Sequence, residues 1–479
     1  MRRLVSLILI GLFAAAALMP ARALAQVDAV PFNSDASLVF DQGVEAFEDG
    51  EYGMAYRRFR LVYSSYPLNT RTTAAQLMAG KSLFREGRYE DAIQVLEQLI
   101  ERYPTSSYVQ DARETIEHAR AALDDQDSAP RPFLLGITLP LEAGEAALTQ
   151  AMFNGIRLAV DEHNDRFAGE RPVRMVFRDS EGTEDGARRA AVALIDAGVD
   201  AIVGPLYSEG AEAAGEIAER SEIVLIAPLA TEESVSQGRR HVFQANPTWT
   251  VRGQMLARFA RERFGHERYG IFAEFGDSYS ERMAEGFQDE VTRLDGSVLH
   301  YRLIESGSQW YQLDALLPAT SWDSLEAVYL PISGQDAGQY ASAALSALAR
   351  AGVQPQVLGS AEWGNVTALS LASDFNTVYT NSFYLLDGDP AVTRFNEAYR
   401  ELSGAAPTGQ AGRVAYAGYD VARFLLMRMM QAGDAPLVES IAQAPWYQGL
   451  GSRLHFEGGN VNRGLYYMRY RPGKIDLLR

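Results

Sequence analysis

Residues Val199–Thr231 read VDAIVGPLYSEGAEAAGEIAERSEIVLIAPLAT. The two apolar runs, AIV and IVLIA, are too short for helices and lack polar alternation, the pattern of strands buried on both faces. Each run closes with Pro, small residues and a hydroxyl, GPLYS at Ser208 and APLAT at Thr231. The Ala- and Glu-rich segment between them has apolar residues at helical spacing. Strand, helix, strand in this order makes a parallel pair, and in an open α/β sheet ligands collect beyond the carboxyl ends of the strands. A strand ending in GPLYS offers a hydroxyl and backbone N–H groups to that edge. APLAT does the same beside it, and such a lip suits a carboxylate held by hydrogen bonds. Ser208 and Thr231 are also plausible plain helix N-caps.

The alternation extends both ways. Upstream, FLLGITLP (133–140) and VRMVFRDS (173–180) read as strands, with helical patterns in ALTQAMFNGIRLAVDEHN (147–164) and TEDGARRAAVALIDAG (183–198). Downstream it restarts: helices over 253–264, 279–294 and 336–351, and strands in YGIFAEF, SVLHYRLI, LEAVYLP and VQPQVLGS. The expected fold class is α/β, two doubly wound parallel-sheet lobes around a cleft. The chain is expected to cross near Asn246–Thr248 and Leu385–Asp389. The first lobe then holds about 133–247 and 389–450, and the second about 248–388 and 451–479, closed by a hairpin in His455–Gly473.

The front of the chain is different. GVEAFEDGEYGMAYRRFRLVYSSYP (43–67) aligns with GKSLFREGRYEDAIQVLEQLIERYP (80–104) at an offset of 37 residues. Gly50 meets Gly87, Tyr52 meets Tyr89, Ala55 meets Ala92, and Tyr66-Pro67 meets Tyr103-Pro104. Each unit reads as helix, Gly turn, helix, stop. The small alanines allow close helix approach and the aromatics fill the seam, in a pattern that resembles tetratricopeptide repeats. Residues 105–123 add a capping helix, so the all-α region spans 26–123, and DDQDSAPRP (124–132) reads as the linker. The repeats offer a surface for a protein partner.

Before them, a basic start, the apolar run Leu4–Leu18 and Ala23-Leu24-Ala25 form a signal peptide over residues 1–25, cut before Gln26. Export to a bacterial periplasm is expected. The chain has no cysteine, which excludes disulfides, thiolate chemistry and a lipid-anchor Cys. The formal charge of −18 disfavours nucleic acid and anionic membranes as partners. The six histidines show no metal-ligand spacing, and there is no nucleophile elbow, phosphate loop or cofactor fingerprint. Asp179 and Glu181, at a strand end, are the best acid candidates, yet a solvated loop fits them better. No catalytic activity, cofactor or metal is therefore expected.

Taken in order, TLPLE, AMFNGIRLAVDEHN, FRDSEG, AIVGPLYS, VLIAPLATEESV, FGDSYSERMAEGF, VLGSAEWGN and AYAGYDVARFLLMRM resemble the type I periplasmic binding proteins of the leucine/isoleucine/valine-binding family, from about Phe133 to the carboxyl terminus. The resemblance implies that Ser208 and Thr231 give hydroxyls to a ligand carboxylate, with Leu229 and Ala230 on the backbone-contact stretch. It places Tyr279 over the ligand, while Asp277 reads as turn chemistry. An acidic residue should pair with the ligand ammonium. Here that segment is GSAEWGN, with Glu362 displaced by one position and Trp363 bulky enough to fill the pocket. The implied function is an exported solute-binding protein closing on a small polar ligand, an amino acid among the candidates, for an ABC-type membrane importer. Repeats followed by such a domain also resemble the penicillin-binding-protein activators, which implies as alternative a regulator whose partner is a peptidoglycan synthase.

Overall fold

The computed structural model describes residues 30–128, 131–141, 144–167, 170–386, 388–433 and 435–478, and residues 1–25, read above as a signal peptide, lie outside them. The chain divides between Ala129 and Pro130 into two compact units.

The first unit is five helices, α1 (Ser34–Glu48), α2 (Tyr52–Ser65), α3 (Thr72–Arg85), α4 (Tyr89–Arg102) and α5 (Val109–Ser128). The 37-residue repeat recurs in the packing. Phe47 meets Tyr52 edge-on at 5.3 Å, and Phe84 meets Tyr89 at 5.5 Å. Gly50 and Gly87 turn the chain at φ of 78° and 80°, which L side chains rarely adopt. A Cβ on Gly43 would stand 2.8 Å from the Phe59 ring, and one on Gly80 would overlap Leu96, so each helix pair touches through a glycine. α5 continues through Asp124–Ser128, five residues read above as linker. An acidic composition does not by itself end a helix, and this one runs on through it.

The second unit holds two sheets. In the first lobe β1 (Phe133–Leu139), β2 (Val173–Asp179), β3 (Ala201–Val203), β4 (Val224–Ala227) and β5 (Val242–Gln244) run parallel in the order β2-β1-β3-β4-β5. The second lobe repeats that order with β6 (Arg268–Glu274), β7 (Ser297–Ile304), β8 (Ala327–Leu330), β9 (Gln356–Gly359) and β10 (Val378–Asn381). Continuous apolar strands are explained by cover on both faces. One face of the first sheet, including Leu135, Ile137 and Val203, packs on α6 (Ala146–Phe167) and the helix Gly409–Ala432. The other face, including Ile202 and Leu225, packs on α7 (Glu184–Asp196) and α8 (Ser208–Arg220). The second sheet sits likewise between α9 (Trp249–Phe264) with α10 (Ser278–Arg293) and a core built around Trp310, Trp322 and Trp363.

The chain passes between lobes three times. The first passage follows β5 and the second follows β10. The short ladder β11 (Tyr447–Gln448) with β12 (Arg453–Leu454) still belongs to the first lobe, where Leu454 and Phe456 are in the core. The third passage therefore falls after Asn462, later than residue 451 as the sequence pattern suggested. The closing hairpin is β13 (Tyr466–Arg471) and β14 (Lys474–Leu478), antiparallel on the edge of β10. Buried Asn462 ties the passages together: its N–H donates to Gln244 O (2.9 Å) and its Nδ2 to Ala245 O (2.7 Å), while its Oδ1 accepts from His455 N and Gly464 N. Gly-Gly-Asn-Val-Asn looks like a hairpin turn in sequence because turn residues and hinge residues share a composition.

Candidate functional site

The lip of the first lobe is formed at the carboxyl ends of β1, β3 and β4, where the strand order reverses. Ser208 is the first residue of α8, and neither it nor Thr231 is an N-cap; Tyr207 and Glu232 stand at those positions. The Ser208 hydroxyl instead accepts from Thr231 N (3.2 Å) and Glu232 N (3.4 Å), locking the two lip segments together. A hydroxyl has two acceptor sites and one hydrogen, so Ser208 keeps its O–H to donate outward. Leu229 O accepts from Asn246 Nδ2 (3.0 Å) and Ala230 O from Gln244 Nε2 (3.2 Å), so this stretch is fixed by side chains of the first passage. Tyr207 leans over the lip and donates to Glu145; burial first, then this bond, pushes its hydroxyl up to about 12. A cavity of about 510 Å³ opens here, lined by Pro140, Thr183, Tyr207, Ser208 and Glu232 among others.

The facing lip comes from α10 and the turn after β9. Asp277 caps α10, accepting from Ser280 N at 2.8 Å. Tyr279 is packed edge-on against Trp249 (4.7 Å), and its buried hydroxyl lies beside Ser360 and Ala361 without a hydrogen-bond partner. Burial raises its pKa, opposed by the nearby Arg252 guanidinium. Glu362 is half-buried on the same side and close enough to act on the charges of Tyr279 and Arg252.

Trp363 departs from its expected role. It is completely buried in the second-lobe core, its Nε1 donating to Leu330 O at 2.9 Å and its carbonyl accepting from the Tyr470 hydroxyl at 2.7 Å. The short helix Ala361–Asn365 turns successive side chains by about a third of a turn, so Glu362 is directed away from the core position that Trp363 takes and remains half-buried near Arg252 and Tyr279. Trp363 is removed from the ligand set and does not fill the pocket. Asp179 accepts from Leu141 N (3.0 Å) and Glu181 N (2.8 Å), and Glu181 pairs with Arg189, which makes both structural groups of a turn.

The two lips are bridged. Arg282 of α10 pairs with Glu233 and, at 3.4 Å, with Glu232, immediately after Thr231. Glu233 also accepts from the Thr250 hydroxyl at 2.7 Å, at the start of α9. Burial pushes the Glu233 carboxyl up, but the Thr250 bonds and the Arg282 charge win and hold it below the usual carboxylate range. This group thus favours the bridged form above the ordinary carboxylate pKa, and the bias is lost as pH falls through the lowered value. Arg282→Ala is expected to populate a wider cleft. The absence of cysteine makes the measurement direct: spin labels on Glu209→Cys and Asp277→Cys should move apart at neutral pH.

Sequence reasoning missed Arg252 and Arg413. Arg252, in the first turn of α9, has only neutral acceptors among the described residues, Pro247 O (3.1 Å) and Asn246 Oδ1 (2.9 Å), and stacks over Trp249 at 4.7 Å. Arg413 stands over the Phe383 ring at 5.1 Å and lines a pocket of about 200 Å³ with Leu229, Asn246 and Gln410. Arginines at polar-looking positions of amphipathic helices read as solvent-facing, so nothing in the spacing singled them out. A larger trough of about 870 Å³ lies on Arg239, Thr250, Glu439 and Asn460, away from the expected ligand residues. No helix among the described residues is long and apolar enough to cross a membrane.

Comparison with known proteins gives two family matches, a periplasmic binding protein profile over residues 133–474 and a tetratricopeptide repeat profile over 74–106. The leucine-specific-binding protein of Salmonella typhimurium is 24% identical over 293 residues, 60% of this chain and 75% of its own. Among solved structures, one from Rhodospirillum rubrum, assigned provisionally as a branched-chain amino acid ABC transporter, matches with TM-score 0.59 and 23% identity over 73% of this chain and all of its own. An ABC transporter substrate-binding protein from Desulfitobacterium hafniense, 21% identical, matches 73% of this chain and all of its own with TM-score 0.52. At such identities the solved structures establish the shared fold.

Proposed function

Since the chain belongs to the periplasmic binding protein family, with tetratricopeptide repeats ahead of the binding domain, we propose that it is an exported receptor that captures a small polar solute between its lobes and presents it to an ABC-type importer. The observation that carries this reading is the cleft itself: two lips on separate lobes, three passages acting as a hinge, and the Arg282–Glu233 bridge at the mouth. A solute that touches both lips favours the closed form by whatever binding it gains only there. In this reading Ser208, Thr231 and the Leu229–Ala230 backbone hold a carboxylate, Tyr279 covers the solute and Glu362 faces its ammonium.

The repeats favour a second component of the reading, a protein contact, since five helices are more than a plain receptor needs. Regulation of a peptidoglycan synthase is the form this takes if the cleft is empty in the cell. The test is thermal unfolding of the mature chain against amino acids, small peptides and cell-wall fragments. A ligand at a hundred times its dissociation constant should stabilise by about 2.7 kcal/mol. Ser208→Ala with Thr231→Val should abolish the effect while the unliganded melting curve stays cooperative. A well-folded protein that answers to nothing in the panel would refute solute capture and leave the protein-contact reading.

A further inference from the structure

The hinge end of the cleft holds two guanidinium groups that make no salt bridge among the described residues. Arg252 is 7% exposed, yet no carboxylate pairs with it among the described residues; its acceptors are a carbonyl and an amide. Arg413, on the opposite lobe, stacks on Phe383 and pairs with no carboxylate among the described residues. A buried cation with neutral partners is costly, and a second cation nearby adds to that cost. The strain shows in Arg252 itself, whose pKa is lowered first by burial and further by Arg413, against the opposing pull of Tyr279, Tyr329 and Glu362.

Asn246 joins this pair to the lip. Its Oδ1 accepts from Arg252 Nη2 (2.9 Å) and its Nδ2 donates to Leu229 O (3.0 Å), so the guanidinium is oriented by the same residue that fixes the carboxylate lip. Asn246 and Leu229 also line the pocket of Arg413. Two cations from different lobes thus flank one end of a cleft whose other end is the Ser208–Thr231 lip. An aliphatic side chain placed there would leave the buried Arg252 charge unpaired and take water from Arg413, whereas a carboxylate would satisfy both with charge-assisted, fork-shaped hydrogen bonds.

We propose that Arg252 and Arg413 form an anion subsite, and that the captured solute is a short molecule with two carboxylates, such as L-glutamate or succinate. This rests on the solute-capture reading above. One carboxylate lies on the Ser208–Thr231 lip and the other between the two arginines, with Glu362 left for an ammonium when the solute carries one. Because Arg413 is contributed by the first lobe and Arg252 by the start of the second, the second carboxylate is clasped when the lobes meet.

Isothermal titration of the mature chain with L-glutamate, succinate and L-leucine tests it. Binding of L-glutamate or succinate, at least tenfold tighter than L-leucine and weakening with added salt, is expected. Arg413→Gln, at an exposed position where folding is not at issue, should weaken the dicarboxylate at least tenfold and leave unliganded melting unchanged. Arg252→Lys keeps the charge but loses the fork, and should weaken it as well. L-leucine binding with no response to either dicarboxylate would overturn the anion subsite while leaving solute capture intact. Silence to all three by a folded protein would overturn the subsite and count against capture itself.

Discussion

Asp420→Ala is expected to destabilise the α/β unit by about 3 kcal/mol or more, because it strips three buried backbone donors of their acceptor at about 1 to 3 kcal/mol each. Asp420 lies inside the helix Gly409–Ala432, wholly buried, and accepts from Leu450 N (2.6 Å), Gly451 N (2.9 Å) and Ser452 N (2.8 Å). Alanine leaves three backbone donors facing an apolar void. The loop they belong to touches the second passage, where Tyr384 N donates to Gly451 O at 2.9 Å, so loosening it also loosens the hinge. Urea unfolding should show the loss directly. The group carries a pH signature. Burial raises its pKa from 3.8 to about 6, although the three N–H groups pull it down. The folded state therefore holds this proton more tightly than the unfolded chain. Its contribution is most favourable below the unfolded value and is lost as pH rises through the folded one. Asp420→Asn has no such dependence, so its penalty relative to the parent should shrink between about pH 4 and pH 7, by up to about 3 kcal/mol. A penalty that grows over that interval would mean the N–H groups, not burial, dominate.

Gly155→Ala is the second large effect, expected to cost about 3 kcal/mol, the upper part of the range for overpacking a tight core. α6 and the helix Gly409–Ala432 cross with Gly155 against the Ala415 carbonyl, where an added Cβ would overlap the oxygen and stand 3.0 Å from Tyr419 N. The obstacle is backbone, which cannot rotate aside as a side chain can. The second lobe uses the same device, Gly253 of α9 against the Met283 carbonyl of α10, and Gly253→Ala should behave alike. Gly404→Ala is the contrasting case. Nothing lies within 4 Å of its Cβ and only the φ of 82° is unfavourable. About 1 kcal/mol is expected there. Equal losses at Gly155 and Gly404 in denaturant unfolding would mean backbone conformation, not close packing, sets the cost.

What was legible in the sequence was what repeats or alternates. AIV and VLIA are strands because residues buried on both faces leave no polar positions, and the first lobe's core confirms the cover on each side. Gly50 with Gly87, and Ala55 with Ala92, recur because each helical pair meets its neighbour in the same way. The α/β fold in two lobes and the repeat region were readable on these grounds. Single side chains were not. GSAEWGN gives no sign that Trp363 enters the core while Glu362 stays half-buried, since the short helix separates them by only about a third of a turn. Arg252 and Arg413 look like surface residues of amphipathic helices until the lobes are set together. Asp420 reads as one more polar position of the helix that carries Arg413, and its purpose lies thirty residues away in a loop.

The interrupted lobes also constrain how the molecule is made. The strands of the first sheet are complete by Gln244, but the helix covering Leu135, Ile137 and Phe243 begins at Gly409, and the last residues of that core are Leu454 and Phe456. A polypeptide growing from its amino end has α6, α7 and α8 in place early, but one face of this sheet lacks its second covering helix while residues 245–408, most of the second lobe, are made. The first lobe is therefore among the last parts to mature although it is started early. A chain stopped within that interval lacks Phe424, Leu425, Leu454 and Phe456 of the first-lobe core, and is expected to expose apolar surface and be cut by proteases.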